Sequence, residues 1–196
     1  MKRKLNTNEQ IFRLTSMAML AAISVVSVLF SRPILTAAPH LEYDAADVFI
    51  MLAGLLFGWL AGFEVLIVAA AIQALTVSAQ SGWMGFIMHV VSTSAFVIVT
   101  CLMHKNVLRK PNHLPLCLIL GCVVTIAIMI PANYIVTPMF IPAVTHEAIV
   151  KMFIPVIIPF NAIKVGINSL AVCVLYYALI PILRKTPMNA ILEENR

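Results

Sequence analysis

The thirty residues from Ile154 to Leu183 are apolar enough to cross a bilayer, yet they carry one full charge, Lys164, well inside the run. In hydrocarbon every backbone polar group must be bonded within its own segment, so such a stretch can only be helix. An ammonium at that depth costs at least ~2.5–3.5 kcal/mol and almost always faces a protein interior or a wet cavity. Lys164 lies about ten residues beyond Ile154 and about twenty before Arg184, an awkward place from which to snorkel to either interface. Asn161, Lys164 and Asn168 recur at i, i+3 and i+7, so on a helix they share one face. A chain that keeps this stripe is expected to hold something polar with it.

With 62% hydrophobic and 11% charged residues, the chain departs far from the ~25% charged of ordinary soluble domains. It reads as an all-α integral membrane protein, and 196 residues leave room for about six spans and little else. The spans are expected at about 11–30, 48–60, 63–79, 86–103, 116–135 and 154–183, as a single membrane domain over 1–196. The second and third are short, so packing rather than lipid would set their ends. The fifth is interrupted by Pro131, Gln80 to Gly85 reads as a turn carrying Trp83 as an interfacial anchor, and 139–152 is a connector with room for a short helix. The first apolar run lacks a convincing small-residue cleavage site and reads as a retained helix.

The net charge of +5 does not point to nucleic acid, because the basic residues cluster beside apolar runs. Placing both termini in the cytoplasm puts Lys2, Arg3, Lys4, Arg13, Lys105, Arg109, Lys110, Arg184 and Lys185 on the inside and leaves only Arg32 and Lys151 outside. That is the positive-inside pattern of a six-helix bundle.

Chemistry is sparse. There is no HExxH, no glycine-flanked nucleophilic serine and no phosphate-cradling loop, so the chain cannot power transport by hydrolysis itself. Cys101, Cys117, Cys122 and Cys173 form no CxxC pair and read as small buried hydrophobes, and no metal set stands out. Polar groups at membrane depth are Asn133, Asn161, Lys164 and Asn168, with Gln73 and His89 as possible additions. Two amides and an ammonium match a heterocycle with alternating carbonyl and N–H edges, with Tyr134, Phe160 and methionines covering its faces. The competing roles are an Asn133 amide bonded to backbone freed near Pro131, and helix–helix hydrogen bonds for Asn168 and Gln73. With only amides for neighbours, Lys164 is a burden on the empty protein, so Lys164→Met is expected to spare or raise its stability.

The string P-x-N-Y-x-x-x-P-x-F (Pro131 to Phe140), followed by I-x-P-F-N-x-I-K-x-G-I (Ile157 to Ile167), resembles the substrate-binding (S) components of energy-coupling factor (ECF) transporters. The likeness is greatest to their riboflavin-specific type. YDAADV (Tyr43–Val48) is similar to that type's acidic segment, and Ala18 and Ala22 to the family's AxxxA motif. The resemblance implies six helices in a bacterial plasma membrane and vitamin uptake without catalysis or cofactor. Energy would come from a coupling transmembrane subunit and two ATPase subunits. It also implies that Asn133, Asn161 and Lys164 contact the flavin with help from the segment around Tyr43 and Asp44, and that Ala18 and Ala22 dock on the coupling subunit. Two positions depart from the pattern: Glu42 stands where a lysine is usual, and His89 replaces a fourth-span asparagine. Pantothenate, folate, thiamine or a queuosine precursor stays open as the ligand, as does, from another class, a small intramembrane enzyme.

Overall fold

The computed structural model describes residues 6–30, 43–76, 82–108, 111–141, 143–186, 189 and 191–192. These residues are almost wholly helical: α1 (Thr7–Ser27), α2 (Ala46–Phe57), α3 (Trp59–Leu75), α4 (Gly82–Asn106), α5 (Leu114–Phe140), the short α6 (His146–Met152) and α7 (Ile158–Leu183). A π-helical turn, Phe153–Ile157, joins α6 to α7. α1, α4, α5 and the continuous stretch His146–Leu183 are long and apolar enough to cross a membrane, while α2 and α3 are shorter apolar helices. α2 packs on α1 and α3, α3 on α4, α4 on α5 and α5 on α7, and contacts between α2 and α7 close the ring.

Three local choices shape the bundle. Asn6 and Glu9 form a reciprocal capping box that starts α1. Gly58 alone links α2 to α3 with φ 96°, a left-handed conformation that a side chain would oppose. One turn to either side, Gly54 and Gly62 let α2, α3 and α4 touch. A Cβ on Gly62 would lie 2.8 Å from both the Gly54 Cα and Val97 Cγ1, and one on Gly54 2.9 Å from Cys101 Sγ. Arg13 reaches this end too, its Nη2 3.4 Å from the Phe57 carbonyl oxygen. The core therefore sits among α1, α2, α3 and α4, around Ile50, Met51, Leu66 and Phe96. Leu14, Met19, Ile119, Val123, Leu170 and Val174 are exposed, as lipid-facing residues would be.

Two expectations need correction. Pro131 does not interrupt the fifth helix, and Pro138 does not lie beyond it: both are inside α5, which runs on to Phe140. Trp83 is not in a turn but in the first turn of α4, 77% exposed and edge-on to Phe86. Most of the polar segment after the first helix, with Glu42 in it, lies outside the described residues, as does residue 80.

Candidate functional site

At the end opposite Gly58, the helices part around a cavity of about 190 Å³. One ordered water needs only ~10–15 Å³, so this is room for a small molecule rather than a lone water. Val28, Tyr43 and Asp44 line it where α1 ends and α2 begins, Ala70, Gln73 and Ala74 late in α3, and Met84, Met88, His89 and Ser92 early in α4. Met129, Asn133, Thr137 and Phe140 contribute from α5, and Phe160, Asn161 and Lys164 from α7. From Gly82 to Ser92 the lining follows α4 for about 15 Å at ~1.5 Å per residue. The sequence-derived residues Asn133, Asn161, Lys164, Tyr43, Asp44 and His89 thus share one cavity. Tyr134 does not join them: it is 40% exposed and packs on His146, with ring centroids 4.6 Å apart.

Lys164 is held by a carboxylate that sequence reasoning passed over. Its Nζ lies 3.1 Å from Oδ2 of Asp47, a buried residue in the first turn of α2. The start of a helix suits a negative charge, since the unbonded N–H groups there carry partial positive charge. The same carboxylate accepts hydrogen bonds from Thr93 Oγ1 and from Asn168 Nδ2, the latter at 3.2 Å. His89 bridges the two acids, with Nδ1 3.2 Å from Asp44 Oδ2 and Nε2 3.2 Å from Asp47 Oδ1, the second contact close but misaligned for a hydrogen bond. Asp44 turns its other oxygen to the Ala46 N–H at 2.8 Å, and its carbonyl accepts from Asn168 Nδ2 at 3.1 Å. One polar knot therefore ties the start of α2 to α4 and α7.

The knot changes two readings. Lys164 has carboxylate company and not only amides, so removing it strands a buried Asp47 rather than relieving the protein. Asn168 serves the helix–helix contact, as its alternative role anticipated. Asp44, Asp47 and His89 also bring ligand-type atoms within 4.8 Å of one another, as a metal would need, but the Lys164 ammonium already supplies the positive charge beside Asp47. A buried lysine calls for a counter-ion, and the Asp44–Asp47 spacing of i, i+3 at a helix start was the signal that could have supplied it.

The amides are more constrained than their sequence positions suggest. Asn161 donates from Nδ2 to the Ile157 carbonyl at 2.8 Å, leaving its buried Oδ1 without a partner among the described residues. Asn133 donates to the Met129 carbonyl at 2.8 Å and accepts from Thr137 Oγ1 at 3.2 Å. It does bond backbone of its own helix, but not the Ala127 carbonyl that Pro131 leaves without its usual donor. Both asparagines therefore commit their nitrogens to their own helices and keep their oxygens as acceptors. Tyr43 offers a hydroxyl: partial burial, then the Asp47 and Asp44 carboxylates, push its phenol above the ordinary value, so it keeps its proton.

α1 separates two kinds of small residue. Ala21 and Ser24 are buried against the bundle, whereas Ala18 and Ala22 are exposed and take no part in lining the cavity.

Residues 12–176 match the family model described as ECF transporter, substrate-specific component. The chain is 25% identical over 176 residues to the riboflavin transporter FmnP of Bacillus subtilis, covering 86% of this chain and 92% of the relative. It is 26% identical over 180 residues to the riboflavin transporter RibU of Streptococcus thermophilus, covering 88% and 85%. Among solved structures it superposes on the S component of a bacterial ECF transporter with a TM-score of 0.78 and 27% identity, covering 89% of this chain and 99% of that one.

Proposed function

The chain belongs to the ECF transporter substrate-specific components, membrane proteins that bind substrate for transport rather than for catalysis, and from that premise we propose that its cavity captures riboflavin. The observation that carries this reading is the convergence of Asn133, Asn161 and Lys164 on one cavity, with the Asn161 Oδ1 buried and without a partner among the described residues. A buried acceptor without a donor costs roughly 1–3 kcal/mol, and an imide N–H of a flavin would meet it. Lys164 has N–H groups beyond the one facing Asp47 and can donate to a flanking carbonyl. The names of both relatives point to the same vitamin.

The ion pair also discriminates among the alternatives. Pantothenate and folate carry carboxylates that would need Lys164 as counter-charge, but Asp47 already claims it and Asp44 adds a second negative charge at the wall. Riboflavin is neutral near pH 7 and makes no such demand.

Both termini are assigned to the cytoplasm, which places the cavity mouth outside, and Ala18 and Ala22 form the close-approach face for a coupling transmembrane subunit driven by two ATPases. The membrane is taken to be a bacterial plasma membrane. The experiment is an absorbance spectrum of protein purified without added ligand and again after incubation with riboflavin and desalting. A retained flavin band at near one per chain is expected. A colourless protein after incubation would reject riboflavin as the substrate.

A further inference from the structure

Lys164 and Asp47 are charged, buried and paired with one another, as charges inside a membrane bundle should be. Glu64 on α3 is the exception. It is exposed, it makes no ion pair among the described residues, and it stands in an outward stripe whose other members, Leu60, Val68 and Ile72, are apolar. Its depth follows from lateral contacts. A Cβ on Gly62, two residues earlier, would lie 2.8 Å from Val97 Cγ1. From Val97, α4 runs nine residues on to Asn106 and fifteen back to Gly82, or about 13 and 22 Å at ~1.5 Å per residue. Glu64 lies about 3 Å further from the Asn106 end than Gly62 does, near the middle of that span. The contact with α1 agrees. Arg13 meets the Phe57 carbonyl beside Gly58, α3 packs on α1 and runs the same way, and six residues along each helix bring Met19 and Glu64 to about one level, between Ala18 and Ala22.

We propose that the Leu60–Glu64–Val68 face of α3 continues the docking face of Ala18 and Ala22, and that Glu64 receives a lysine or arginine from a membrane helix of the coupling subunit. This rests on the docking reading above. A carboxylate at mid-span is costly against hydrocarbon and is retained where a cation or donor meets it. Lipid headgroups lie about half a bilayer core, ~15 Å, away and do not reach it. A second copy of this chain, docking symmetrically through the same stripe, would set carboxylate against carboxylate. A different helix carrying a positive charge fits both the apolar stripe and the acid within it. The two alanines then admit a partner backbone closely, while Glu64 selects which helix, and in which register, is accepted.

The test compares the full chain with Glu64→Leu, which matches the rest of the stripe, and Glu64→Gln, which keeps the shape without the charge. Each is co-expressed with the coupling subunit and the two ATPases, beside Ala18→Leu as a reference for a blocked docking face. Riboflavin uptake and the coupling subunit retained on purification are measured in the assembly. Riboflavin Kd and melting temperature are measured on the subunit alone. Both Glu64 variants are expected to lose about tenfold in retained coupling subunit, the worth of one charge-assisted contact, and to lose uptake with it. Their Kd should stay within about twofold and their melting temperature should hold, because Glu64 is exposed and does not line the cavity. Wild-type assembly by either variant, while Ala18→Leu fails to assemble, would overturn the assignment to Glu64 and leave the docking face intact. A fall in Kd or melting temperature in both variants would overturn it too, returning Glu64 to the fold of this chain. A wild type that retains no coupling subunit would remove the docking reading and this inference together.

Discussion

At the Gly58 end of the bundle α2, α3 and α4 touch through glycine, whereas at the cavity end α2, α4 and α7 are joined through Asp47 and its partners. The first device removes side chains so that backbones meet. The second supplies long polar side chains that bond one another across a gap. Dispersion and close fit stabilise the packed end, so it needs no polar group to be specific. The open end cannot gain from packing without closing the cavity, and mutual satisfaction of charges substitutes for it. The knot thus keeps a site open beside a core cluster built mainly from apolar side chains.

The sharpest way to break this comparison is Asp47→Leu. It strands Lys164 and removes the acceptor for Thr93 and Asn168, and loss of one partner of a buried ion pair costs about 3–5 kcal/mol. Thermal unfolding in detergent should show a large fall in melting temperature. Lys164→Met should also destabilise, with part of the loss recovered in the Asp47→Leu, Lys164→Met double variant. Fully additive losses would mean that the two charges are not coupled.

At the packed end, Gly62→Val should cost about 1–3 kcal/mol by overpacking against Gly54 and Val97. The comparison requires that riboflavin affinity of the folded fraction stay unchanged, measured beside the melting curve. A matching drop in affinity would show that the two ends are not separable.

The smallest effect on binding is expected at α1. Ala18→Leu and Ala22→Leu alter exposed positions away from the cavity, so Kd should stay within about twofold. Uptake into cells that supply the coupling partners should fall, because a bulky residue blocks close helix approach. Lost binding would return the alanines to packing within this chain.

Much of this was legible beforehand, for physical reasons. Hydrocarbon leaves the backbone so few options that composition and run length suffice to give helices, and the intramembrane stripe Asn161–Lys164–Asn168 announced a polar interior. The rest required three dimensions. Asp47 read as one acid of the segment Tyr43–Val48, just before the second span, and only the fold brings it to Lys164 from 117 positions away. Pro131 read as an interruption, since proline forfeits one intrahelical bond, but in a membrane bundle helices carry such prolines because neighbouring helices and side chains re-satisfy the freed groups. Tyr134 borders Asn133 in sequence, yet on a helix adjacent residues point about 100° apart, and it faces His146 instead. Gln73 was visible as a polar residue in an apolar run; that its nitrogen meets no neighbouring helix was not.

The central claim is that the cavity lined by Asn133, Asn161 and Lys164 takes a neutral heterocycle, with Asn161 among the residues that hold it. It is tested most directly by titrating riboflavin against purified wild type and Asn161→Ala with fluorescence quenching as the readout. The account predicts saturable one-to-one binding by wild type and a loss of roughly five- to a hundredfold in the variant, equivalent to ~1–3 kcal/mol for one unsatisfied partner. Equal affinities for the two proteins, or no binding by wild type, would contradict it.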